Sequence, residues 1–210
     1  MTEVVSVERE GEDAARAALE RCIGGGGVAV FPADTVYGLA CDPLNEPAVS
    51  RIRELKGRAD DKPSAVMYFS PLAMRELVAG LGPGARDAVG ALLPGPVTLV
   101  LANPEGRYPL AGSGGTLGVR LIEGPLAGAM TPVLQTSANL SGEPAPSRFD
   151  DVPERLVAGA DLAIDGGELG GAASTVVDLS EIDSEGGWRI LREGAMLPAE
   201  VERRLGPPSG

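Results

Sequence analysis

The chain has 210 residues, a formal net charge of -12, no histidine and two cysteines. That length suits one sizeable domain with a real core, and the acidic balance argues against a general nucleic-acid coat, which needs a broad basic face. The absence of histidine excludes Ser-His-Asp and Cys-His nucleophile systems and histidine metal cages, leaving lysine, arginine, carboxylates, hydroxyls and backbone, the usual kit for phosphate chemistry.

In chain order, "TEVVSVE" alternates weakly and predicts an opening strand. "EDAARAALERCI" carries apolar residues at helical spacing and ends at the glycines from Gly24. "VAVF" predicts a short buried strand interrupted by Pro32, with Phe31 to Pro43 read as a strand-end loop. "NEPAVSRIRELKG" predicts a helix capped by Asn45, with Ala48, Val49, Ile52 and Leu55 as its apolar face and Gly57 at its end. "SAVMYF" is the next strand, followed by helices around Leu72 to Ala79 and Ala85 to Leu93. "VTLVLA", "TLGVRLI" and "TPVLQTS" predict three strands, with a short helical piece near Leu126. A helix near Val152 to Val157 precedes the strands "LAI", "STVVDL" and "WRILR". Interleaved strands and helices without a composition break predict one α/β domain over residues 1–200, with 201–210 as a short, frayed tail.

Cys22 and Cys41 form no metal or redox spacing, which points to a reduced, cytoplasmic setting. No apolar run is long enough to span a membrane, and the acidic start does not read as a signal peptide.

Four polar clusters stand out. "LKGRADDKPSAV" gathers Lys56, Arg58 and Lys62; they can answer the negative end of a helix dipole or bind an anion, and this cluster alone does not decide. In "FPADTVYGLACDP", Asp34 and Thr35 read first as turn formers, and otherwise as a loop offering a hydroxyl to a ligand. "TSANLSGEPAPS" packs Thr136, Ser137, Asn139 and Ser141 just beyond a strand, where open α/β sheets bind ligands. The fourth cluster comprises Thr116 and Arg120 in "GTLGVRLI", Ser174 in "ASTVVDL" and Arg192 in "ILREGAM". Arg120 sits inside an apolar strand and must find either a ligand or one of the 30 acids.

Taken in order, "PADTVYGLACDP", "KGRADDKP", "PGPVTLVL", "GVRL", "TSANLSGEPAP", "STVVDL" and "ILREGAM" resemble the threonylcarbamoyl-AMP synthase family, from about Val28 to Met196. The resemblance is to the short, single-domain type. It implies a YrdC-like fold: a twisted, mixed parallel and antiparallel sheet with flanking helices around a concave site. It also implies synthesis of threonylcarbamoyl-AMP and pyrophosphate from ATP, L-threonine and bicarbonate, for the threonylcarbamoyladenosine modification of tRNA. By matching, Lys56 and Arg58 are the catalytic cations, and Thr35, Arg120, Ser137 and Ser174 are threonine contacts. Arg58, Lys62, Thr116, Asn139, Ser147 and Arg192 are nucleotide contacts. Mg2+ is expected to arrive with ATP rather than in a protein cage, and downstream tRNA-modification proteins are the expected partners.

The chain departs from the family pattern at Ala33, Met67 and Glu193, where threonine, histidine and proline are frequent. Two alternatives therefore stay open. One is a relative that uses another carbamoyl-adenylate substrate, and the other is an RNA-binding or ribosome-associated YrdC-like protein without this activity; weak RNA binding is the further partner expectation.

Overall fold

A computed structural model describes residues 1–57, 64–184 and 186–207. Among these residues the strands are β1 (Glu3–Ser6), β2 (Ala29–Pro32), β3 (Tyr37–Cys41), β4 (Ala65–Tyr68), β5 (Val97–Ala102), β6 (Thr116–Leu121), β7 (Val133–Ser137), β8 (Leu162–Asp165), β9 (Thr175–Asp178) and β10 (Arg189–Arg192). The helices are α1 (Val7–Glu10), α2 (Glu12–Gly24), α3 (Glu46–Lys56), α4 (Pro71–Ala79), α5 (Pro83–Leu92), α6 (Glu154–Gly159) and α7 (Pro198–Leu205). The strands make one sheet in the order β1-β8-β2-β3-β7-β4-β6-β5-β9-β10. Parallel pairs (β1/β8, β2/β8, β4/β6, β5/β9) mix with antiparallel ones, so the sheet is of the mixed kind that the resemblance implies.

Alternation along the strands divides the apolar residues between two faces. On one face Val66, Tyr68, Val97, Leu99, Val119, Leu121 and Val177 pack with residues of α3, α4 and α5. On the other, Phe31, Met67, Phe69, Val133 and Ile164 pack with Ala15, Ala18, Leu19 and Ile23 of α2. Helix α2 packs against β1, β2 and β8. Farther along that face, Thr98 and Val100 of β5 and Val176 of β9 remain only half-buried. That uncovered stretch of sheet is where the site lies.

Local signals account for the helix ends. Asn45 Oδ1 accepts from Ala48 N at 3.1 Å, and Gly57 closes α3 with a left-handed φ of 66°. Ser70 caps α4 by accepting from Leu72 N at 3.2 Å. Helix α5 takes its cap from far away in sequence: Asp183 accepts from Gly84 N at 2.7 Å and Ala85 N at 3.2 Å.

Four expectations need correction. The opening strand stops at Ser6, and residues 7–10 form the single turn α1, whose Glu10 carboxylate accepts from Ser6 N at 2.9 Å. Residues 37–41 are not loop but the strand β3, whose five residues are all buried. A strand buried on both faces shows no alternation, which is why its pattern is silent. Leu126 lies in a turn rather than a helical piece. Residues 198–205 are helix α7, not a frayed tail from 201, because Val201 is fully buried against the core.

Away from the site, Asp161 ties the β8 entry to its neighbours, accepting from Val28 N at 2.8 Å and from Arg51 Nη1 at 2.6 Å. Burial works to raise its carboxyl, but these bonds outweigh it and hold the group below the ordinary 3.8. A depressed folded-state value stabilises the fold above the ordinary value and is lost as pH falls through the folded one. Asp161→Asn is therefore expected to lower Tm at neutral pH, with the difference from wild type shrinking below about pH 4. Thermal melts across a pH series check this.

Neither cysteine is in a disulfide, and burial pushes Cys22 up to about 11 and Cys41 up to about 12, which favours the protonated thiol. Among the described residues, no helix is long and apolar enough to cross a membrane.

Candidate active site

Two groups of polar side chains meet the uncovered face. The first is built at the end of α3. Lys56 is its last residue and is only 2% exposed, so burial fixes its ammonium in place. The ammonium donates to the backbone oxygen of Ser137, at the end of β7, and to Asn139 Oδ1 at 3.3 Å. Ser137 Oγ donates to the same Asn139 oxygen, while Asn139 Nδ2 donates to the carbonyls of Leu140 at 2.9 Å and Glu143 at 2.6 Å. Three residues from two separate clusters of the sequence thus form one network. Arg58 and Lys62, singled out beside them, lie outside the described residues, as do Asp60 and Asp61.

The second group centres on Arg120 of β6, which is 3% exposed. Its neighbours Val119 and Leu121 point into the apolar core, so alternation turns Arg120 to the opposite face. Arg120 Nη2 donates to Asp34 Oδ1 at 2.5 Å. Burial pushes the guanidinium below the ordinary arginine value, Asp34 pulls it back up, and the nearby charge of Arg192 adds to the lowering.

This contact satisfies only part of either group. Arg120 Nε, Asp34 Oδ2 and the neighbouring Thr35 Oγ1 are buried without a hydrogen-bond partner. They are three of the four such side-chain atoms among the described residues. Buried polar atoms are rarely left unpaired, and their concentration at one spot marks a place arranged for a ligand.

Ser174, just before β9, is held between β5 and β10. Its hydroxyl lies 2.9 Å from Thr98 Oγ1, and its carbonyl accepts from Arg192 Nε at 3.2 Å and Nη2 at 2.7 Å. Arg192 itself remains exposed at the end of β10. Thr116 shares the Arg120 face of β6, but its hydroxyl donates to Ser113 O at 2.8 Å, within its own turn. Ser147 lies in the loop after β7, where its carbonyl accepts from Leu169 N at 2.8 Å.

Asp34 was legible only as a turn former. The acid that Arg120 requires is supplied by a residue 86 positions away, and sequence gives no signal for that choice. Thr98 was also missed, although a lone threonine within "VTLVL" was the available cue. Met67 stands opposite Arg120 in the β4/β6 register and is fully buried in the apolar layer with Phe31, Phe69 and Val133. Among the described residues, no group of three or more Cys, Asp or Glu side chains is placed to hold a metal ion.

Comparison with known proteins adds four findings. The Sua5/YciO/YrdC family model, described as telomere recombination, matches residues 21–194. The chain is 35% identical over 191 residues to the threonylcarbamoyl-AMP synthase of Pyrococcus abyssi, covering 86% of this chain and 54% of that protein. It is 36% identical over 169 residues to the threonylcarbamoyl-AMP synthase of Xanthomonas campestris, covering 77% and 88% respectively. In three dimensions it superposes on P. abyssi Sua5 complexed with L-threonine with a TM-score of 0.84 and 33% identity, over 99% of this chain and 62% of that one. The chain therefore spans about half the length of the P. abyssi synthase and most of the X. campestris one.

Proposed function

The chain belongs to the Sua5/YciO/YrdC family, and from that premise we propose that it is a threonylcarbamoyl-AMP synthase acting on ATP, L-threonine and bicarbonate. The observation that carries this reading is the unsatisfied Arg120–Asp34–Thr35 group. A guanidinium with a spare N–H can take a carboxylate, and an adjacent hydroxyl and carboxylate oxygen can meet an amine or hydroxyl. Those are the groups of a free hydroxy amino acid.

In the proposed reaction the amine of threonine and bicarbonate condense to a carbamate with loss of water. A carbamate oxygen then attacks the α-phosphorus of ATP, the bond to the β-phosphate oxygen breaks, and pyrophosphate leaves. Arg120, Thr35, Ser137 and Ser174 hold the amino acid, while Asn139, Ser147, Thr116 and Arg192 face the nucleotide. Lys56, together with Arg58 and Lys62, offsets charge that develops on the phosphates. Gathering three reactants replaces encounter entropy by binding, and well-oriented groups reach effective molarities of about 10⁵–10⁸ M. Magnesium is proposed to come with ATP, where it supplies charge neutralisation. The product is a mixed anhydride that water destroys, so an acceptor system that modifies tRNA is the proposed consumer.

The deciding measurement is pyrophosphate release by the purified protein. Release is expected only when ATP, threonine and bicarbonate are all present. Release indifferent to omission of threonine or bicarbonate overturns the reading. Release supported better by another amino acid moves the assignment to a relative with a different substrate.

A further inference from the structure

We infer that Tyr37 is a positioning residue whose hydroxyl holds the segment 166–171 as a strap across the back of the site. This inference rests on the synthase reading only for its kinetic consequences.

Tyr37 is fully buried, yet its hydroxyl is used in both directions. It donates to Gly167 O at 2.7 Å and accepts from Gly166 N at 3.0 Å. Burial pushes the phenol up to about 12, so it stays neutral and can do both at once. The ring is packed at 5.9 Å from Phe149, and the Tyr37 backbone is fixed by Pro146 O and Ala138 N.

Beyond that anchor the strap reaches both halves of the site. Leu169 N donates to Ser147 O at 2.8 Å, and Gly171 N donates to Thr35 O at 2.8 Å. Ser147 belongs to the proposed nucleotide side and Thr35 to the amino-acid side. One tyrosine hydroxyl thus fixes the single segment on which both residues hang. Close packing makes the strap's path specific: a Cβ at Gly166 would stand 2.6 Å from the Pro32 ring, and Gly171 has a φ of +79°.

Tyr37→Phe keeps the ring and removes both bonds. It is expected to raise the KM for ATP and for threonine about tenfold each, with kcat within about twofold of wild type. It is also expected to speed amide hydrogen exchange across residues 166–171. Gly166→Ala, which displaces the strap sterically, should give the same pattern. Tyr68→Phe is the control, since it also removes a buried hydroxyl contact (3.1 Å, to Tyr108 OH) in the same core layer but makes no bond to residues 166–171, and should leave both KM values unchanged.

A merely structural role would lower kcat through a smaller folded fraction and leave KM alone. That result, or unchanged KM values in an active variant, overturns the inference. If the wild-type protein releases no threonine-dependent pyrophosphate, the synthase reading fails and exchange alone decides. Faster exchange in Tyr37→Phe then upholds the strap, and unchanged protection overturns it.

Discussion

Arg120→Ala is expected to abolish threonine-dependent pyrophosphate release and to destabilise the fold by about 3–5 kcal/mol. The second effect follows from burial: the side chains of Arg120 and Asp34 are 4% and 14% exposed, so removing the cation strands a carboxylate in low dielectric. Arg120→Lys keeps the charge but loses the planar fork. It should recover much of the stability while threonine KM stays raised at least about tenfold. The double variant Arg120→Met with Asp34→Asn removes both charges, and should regain stability without regaining activity. Denaturant melts and initial rates on the three variants check this. Normal activity in Arg120→Lys would show that the guanidinium fork is not what grips the substrate. Full stability in Arg120→Ala would show that Asp34 has another partner.

Lys56→Met is expected to lower kcat by about 10²–10³-fold, the cost of losing one preorganised donor at a charged transition state. The stem of methionine nearly fills the space of lysine, so the fold should survive and circular dichroism should be unchanged. The network explains why the effect is large. The ammonium of Lys56 holds the Ser137 carbonyl and Asn139 Oδ1 together, so its loss frees the loop that follows β7 as well as removing a charge. Single-turnover kinetics separate the two: a pure charge effect slows the chemical step, while a loosened loop also weakens nucleotide binding. Near-wild-type turnover would remove Lys56 from the site.

Several features were legible in the sequence because their causes are local. Asn45 and Gly57 bracket α3 within the reach of single hydrogen bonds, and its apolar spacing names the buried face. The alternation of "TLGVRLI" placed Arg120 inside an apolar strand and raised the question of its partner. The short ordered motifs brought the family resemblance, which matches the mixed sheet and the family to which the chain belongs.

Other features depended on which distant segments meet. No local pattern distinguishes Asp34 from the other acids as the counter-ion of Arg120, since that choice is made when the loop between β2 and β3 meets β6. Strand β3 was hidden because burial on both faces erases the period, and the C-terminal helix because its anchor, Val201, is a single residue among charges. Lys56 illustrates the division best. Sequence determined that a cation ends α3, where a helix dipole alone would account for it. Tertiary structure decided that β7 ends beside it, so that the same ammonium meets Ser137 and Asn139 instead of water. Dipoles and caps act over a few residues, but the register of non-adjacent strands sets which polar groups share a buried space.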